Sequence, residues 1–135
     1  MDLDGLRIRT IVHEGDGIPE SAFLVELDGL TIFHSGDHGS GPAPFKDFFV
    51  ENIDYIAKIA PSIDMIFIPT WGEESFVVKK LKPKFTFPMH DIGREHNYAK
   101  FAERAKKEKL PTKVIAAQKQ GDHFFYTNGK MKKSK

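Results

Sequence analysis

Cysteine is absent from the 135 residues. That excludes disulfides and thiolate metal sites, and it suits a reducing compartment. Apolar runs are short as well, and none approaches the roughly 20 residues needed to cross a bilayer. The opening residues, Met1-Asp-Leu-Asp4, have neither the basic nor the apolar region of a secretory leader. A cytoplasmic protein with no membrane attachment is the expectation. Basic residues are scarce early in the chain: residues 1–75 carry 4 against 14 acidic ones, whereas residues 76–135 carry 16 against 5. The net charge of +1 therefore hides two opposed halves. Such polarity can steer an anionic ligand or favour head-to-tail association, although solvated helix faces and a lysine-rich tail are the simpler account.

What is present reads as one ordinary soluble domain, 40% apolar and 29% charged. Leu6–His13 alternates Leu6, Ile8, Thr10 and Val12 with Arg7 and Arg9, the pattern of a half-buried strand. Two further apolar runs, Ser21–Leu27 and Leu30–His34, flank Asp28-Gly29, which predicts a tight hairpin. A helix from Ala43 or Pro44 to about Ala60 follows, with an apolar stripe of Phe45, Phe48, Phe49, Ile53, Ile56 and Ile59. Ile63–Pro69 has the composition of a strand buried on both faces, as in parallel sheets. A short helix near Glu73–Leu81, a strand at Lys84–Pro88 and an amphipathic helix over His96–Glu108 come next. Strands at Thr112–Ala117 and His123–Thr127 close the fold. Residues 1–129 form a single α/β domain in this reading, with helices on one side of a sheet, and 130–135 a disordered lysine-rich tail.

The chemistry-bearing residues fall at or just beyond strand ends: His13, Asp37, Pro69-Thr-Trp-Gly72 and His90. Ligands of open α/β sheets bind there. In His34-Ser-Gly-Asp-His38 a carboxylate sits where a strand meets a glycine-rich loop, and with His13 and His90 it makes a donor set suited to zinc. Asp91, beside His90, reads either as an acceptor supporting that histidine or as an exposed loop carboxylate. Trp71 reads as a pocket wall or as a loop anchor, and His96 and His123 as surface or structural residues. No histidine–carboxylate relay accompanies Ser35, Ser40 or Ser75, and Gly36–Gly41 lacks the pattern of a phosphate-cradling loop. The cluster Lys79-Lys-Leu-Lys-Pro-Lys84 comes with no nucleic-acid-binding module, so nucleic acid is not the expected partner.

The stretch Ser21-Ala-Phe-Leu-Val-Glu-Leu-Asp-Gly-Leu-Thr-Ile-Phe-His-Ser-Gly-Asp37, followed by Ile63-Asp-Met-Ile-Phe-Ile-Pro69 and Lys82-Pro-Lys-Phe-Thr-Phe-Pro-Met-His90, resembles the C-terminal half of the metallo-β-lactamase superfamily. The likeness is to its ascorbate-6-phosphate lactonase-like branch. The resemblance implies half of an αββα sandwich, a β-hairpin followed by alternating helices and strands. It implies a metal-dependent hydrolase acting on an ester, lactone, amide or phosphoester, with zinc as cofactor (two ions in a complete site, manganese or iron as alternatives). Asp37 would bridge the ions, His13 and His90 would each bind one, and Asp37 and His90 would be catalytic.

The superfamily's first motif, His-x-His-x-Asp-His, is absent from this sequence, and His34-Ser-Gly-Asp-His38 is one residue too long to stand in for it. Three ligands are too few for two tightly held ions. A chain inactive alone, completed by a second copy or a complementary N-terminal half, is one expectation. A mononuclear site of His13, Asp37, His90 and His38 is another. The alternative is a non-catalytic binding or assembly module using an exposed apolar face or the basic surface.

Overall fold

The computed structural model describes residues 2–15, 18–39, 45–71 and 73–134. The element order is β1 (Asp2–Leu3), β2 (Leu6–Gly15), β3 (Ile18–Leu27), β4 (Leu30–His34), α1 (Phe45–Ile59), β5 (Met65–Pro69), α2 (Glu74–Leu81), β6 (Phe85–Met89), α3 (His96–Lys107), β7 (Lys113–Val114), β8 (Phe124–Thr127) and β9 (Lys130–Lys133). Strands β1 to β7 lie side by side in chain order in one sheet, and β8 and β9 make a separate hairpin. Pairing is antiparallel from β1 to β4 and parallel from β4 to β7. This is the expected α/β architecture, a hairpin run feeding alternating helices and strands.

Turn chemistry explains the antiparallel part. Asp28 and Gly29 have φ of 50° and 76°, and the register Leu27↔Leu30 closes a two-residue turn around them. Positive φ at both central residues gives the twist that matches paired strands. Asn128 and Gly129, at φ 50° and 75°, do the same between β8 and β9. Lys130–Lys133, expected in a disordered tail, is therefore a strand. Its signal was the Asn-Gly pair, which the run of lysines masked.

The parallel part is built by crossovers that each return the chain to the same edge of the sheet, through α1, α2 and α3 in turn. Because the strands follow one another in order, α1, α2 and α3 all fall on one face. Phe49, Ile53 and Ile56 of α1, Val77, Val78 and Leu81 of α2, and Phe101 and Ala105 of α3 pack there against Ala22, Leu24, Phe33, Ile66 and Ile68 of the sheet. Full burial of each large side chain in this layer is worth about 1.5–3 kcal/mol. Phe48, expected in the stripe of α1, is half exposed, since it lies off the arc formed by Phe49, Ile53 and Ile56. The expected helix start at Ala43 or Pro44 lies outside the described residues.

Among the described residues the opposite face is covered only in part. Tyr126, Phe124 and Met131 of the β8–β9 hairpin pack on Met65, Phe67, Phe85 and Phe87. Further along, the register Ile11↔Ala22 and Thr10↔Phe23 assigns Ile11 to the helix side and the alternate set of β2 to the other. So the apolar set Leu6, Ile8 and Val12, read from the sequence as the buried side of β2, is not in the helix-covered core. Val12, Phe23 and Leu27 are 63%, 40% and 41% exposed. The final strand of the main sheet is shorter than expected, two residues rather than Thr112–Ala117. Among the described residues no helix is long and apolar enough to cross a membrane.

Candidate metal-binding site

Strand β4 ends at His34, and its ladder continues one step as the Ser35 amide donates to the Phe67 carbonyl at 3.0 Å. The chain then turns, and the His38 amide donates back to the Ser35 carbonyl at 3.0 Å. Gly36 makes this turn with φ at 58°, and a Cβ there would stand 2.6 Å from the Ser21 carbonyl oxygen. Only glycine fits. The turn lifts Asp37 to the rim of the sheet with its side chain about half exposed.

His90 arrives from β6 on the far side of β5. It follows Met89 directly and has φ at 66°, a backbone region that costs a non-glycine residue energy and that clusters at functional sites. Its Nε2 lies 2.5 Å from Oδ1 of Asp37. Trp71, just past β5, meets the His90 ring edge-on with centroids 5.7 Å apart. The same indole closes over the loop, since a Cβ on Gly39 would come within 2.9 Å of it. Trp71 thus packs over the loop, as the loop-anchor reading of the sequence has it, and stands beside His90.

The remaining histidines divide. His38 is buried, with its ring 5.1 Å from that of Phe49 and its Nε2 3.5 Å from Asn52 Nδ2. It belongs to the helix layer and not to the rim. His34 stacks on Phe67 on the opposite face and accepts a hydrogen bond from the Gly36 amide on Nδ1 at 3.1 Å. Partial burial, and then the nearby His90, push its pKa below the ordinary histidine value. His13 is in β2 opposite Glu20, on the same rim of the sheet as Asp37, and its side chain lies outside the described part of the structure.

Asp91 is a correction. It is not an exposed loop carboxylate but is 2% exposed. Its Oδ2 accepts from Asn97 Nδ2 at 2.6 Å and from Thr70 Oγ1 at 2.7 Å, and Arg94 Nε is 2.7 Å from Oδ1. The Asn97 and Thr70 hydrogen bonds, helped by Arg94, hold its carboxyl below the usual carboxylate range. Thr70 lies in the segment Pro69-Thr-Trp-Gly72 singled out in the sequence, but without a role of its own, and Asn97 did not stand out because it reads as part of an ordinary helix start.

Asp37 and His90 present one oxygen and one nitrogen donor to the same point, both of kinds that zinc accepts. Two such donors on one tetrahedral ion with bonds near 2.0–2.1 Å stand about 3.3 Å apart. The 2.5 Å contact must therefore open slightly to admit a cation, and the partial exposure of both side chains leaves room for that movement. Among the described residues no three His, Asp or Glu side chains gather closely enough to hold a metal ion. The pair fits a metal by chemistry, then, but supplies only part of a coordination shell.

Two curated proteins are similar to about half of this chain. A UPF0173 metal-dependent hydrolase of Pyrococcus furiosus is 33% identical over 75 residues, covering 50% of this chain and 29% of its own length. One of Pyrococcus abyssi is 34% identical over 77 residues, covering 52% and 30%. The aligned part of the chain thus spans less than a third of the length of these relatives. Among solved structures, a candidate Zn-dependent hydrolase of the metallo-β-lactamase superfamily from Thermotoga maritima aligns with a TM-score of 0.48 at 26% identity, over 64% of this chain and 43% of that one. No protein-family model matches the chain.

Proposed function

We propose that this chain is the C-terminal, partial-site portion of a metal-dependent hydrolase of the metallo-β-lactamase type. The observation that carries the reading is the meeting of Asp37 and His90, delivered by separate strands to one point on the rim. The metal-dependent hydrolases of Pyrococcus that resemble half of the chain support it. Asp37 and His90 would hold the cation, zinc by preference for an oxygen and nitrogen donor pair, and His13 would join them from β2. When bound, such an ion supplies Lewis acidity and a water acidic enough to attack an ester, lactone, amide or phosphoester. The protein's own part is positional: Gly36 sets the carboxylate, the left-handed backbone at residue 90 aims the imidazole, and Trp71 shields one side of it.

The uncovered sheet face around Val12, Phe23 and Leu27 favours a second element of this reading. An apolar surface of this kind marks an interface, and a second copy or a complementary N-terminal half covering it would also bring the missing ligands. The assembly module without catalysis differs only in never acquiring them.

Zinc titration of the chain by calorimetry tests the proposal. The expected result is one weakly bound ion, lost in Asp37→Ala. No binding at any accessible zinc concentration would overturn the metal reading. Two ions held at submicromolar affinity would overturn the partial site.

A further inference from the structure

His90 occupies an unfavourable left-handed conformation, and something must hold it there. On its N-terminal side, β6 continues in register with β5 up to Pro69↔Met89, which fixes the chain entering residue 90. On its C-terminal side, the peptide between residues 90 and 91 sets His90's ψ. The amide of that peptide, Asp91 N–H, donates to the phenol oxygen of Tyr98 at 3.1 Å. Tyr98 is itself buried, as is Asp91. The Asp91 carboxylate ties this peptide in two directions, to Thr70 at the end of β5 and to Asn97 at the start of α3. A backbone bond from the Arg94 amide to the Asp91 carbonyl, at 2.8 Å, closes the turn.

We propose that Asp91, Thr70 and Tyr98 are positioning residues forming a clamp that holds the His90 backbone left-handed and so directs its imidazole onto Asp37. They act through the peptide that follows His90 and need not touch the reacting groups. Breaking the clamp lets residue 90 relax toward an ordinary extended conformation, which swings its side chain off the rim. The geometric claim stands on the hydrogen bonds alone, while its consequence for metal affinity rests on the function proposed above.

The test uses the full chain and a probe that does not depend on metal. Trp71 is the only tryptophan, and its ring lies beside that of His90. Nuclear Overhauser contacts between the two rings report the aim of the imidazole directly. Tyr98→Phe and Thr70→Val are expected to weaken those contacts severalfold and to lower zinc affinity about tenfold. Thr70→Ser, which keeps the hydroxyl, should restore both. Lys84→Met, which removes the pair with Asp64 before the N-terminal ends of β5 and β6, the edge of the sheet opposite the rim, serves as a destabilised control that leaves the ring contacts intact. Unchanged ring contacts in both Tyr98→Phe and Thr70→Val would overturn the clamp. Wild-type protein that shows the contacts, loses them in the variants and binds no zinc would retain the clamp and refute the metal reading.

Discussion

The carboxylate of Asp37 and the imidazole of His90 meet at 2.5 Å across the end of β5, the strand that lies between their own. Strands two positions apart in a sheet are separated by about 10 Å, so the two side chains must reach toward each other over the end of β5 to make this contact. Removing either partner should therefore remove the centre of the site. Asp37→Ala and His90→Ala are each expected to reduce zinc affinity on the order of 100-fold, while the double variant does little more, as for two ligands of one ion. Calorimetric titration measures this, and additive losses would show that the two residues act at separate places.

Residue 90 offers a second prediction, concerning stability. A left-handed conformation costs an L-residue roughly 1–2 kcal/mol and costs glycine almost nothing. His90→Gly and His90→Ala both lose the imidazole and its contacts, so their difference isolates the backbone. His90→Gly should be the more stable by about 1 kcal/mol in urea unfolding. Equal midpoints would show that residue 90 is not held left-handed.

Gly36→Ala should destabilise the fold by about 1–3 kcal/mol, because the added methyl would face the Ser21 carbonyl in a backbone region already unfavourable to alanine. Gly121 provides the comparison: its φ is also positive but nothing lies near its missing Cβ, so Gly121→Ala should cost less. Thermal melts of the pair separate steric cost from backbone cost.

The β8–β9 hairpin should loosen in acid. Asp122, bonded by Lys133 and by the amides of Gln118 and Lys119, has its pKa lowered to about 2. A depressed carboxylate contributes stability that is full above its unfolded value of 3.8 and is lost as pH falls toward 2. Amide exchange in Phe124–Lys133 should accelerate over that window, and Lys133→Met should narrow it. Exchange independent of pH, after correction for the intrinsic rate, would remove Asp122 from this role.

The exposed sheet face predicts association. Sedimentation at micromolar concentration should show a dimer, and Phe23→Lys with Leu27→Glu should shift it to monomer and weaken zinc binding, since a second copy covering the face would bring further ligands. A wild-type protein that stays monomeric would argue that the face is covered by another chain or left bare.

Much of the fold was readable in the sequence. Asp28-Gly29 placed one hairpin, the spacing of Phe49, Ile53 and Ile56 placed α1, and the apolar run Ile63–Pro69 placed a central strand, because turns and amphipathic periods are set by interactions within a few residues. The candidate site was legible only as a set of strand ends: Asp37 and His90 were named without a local signal that their side chains meet. Asp91 was misread because a carboxylate beside a histidine carries no local mark of burial, and its donors come from β5 and α3.

By itself, then, the order of residues determined the kinds of elements, their turns and the run of strand ends along which polar groups would stand. The tertiary structure decided which side of β2 faced the helices, since alternation defines two faces without saying which one the crossovers will cover. It also decided that Asp37 and His90 touch, because that contact depends on register across three strands and on the left-handed backbone at residue 90, neither of which is set by neighbours in the chain.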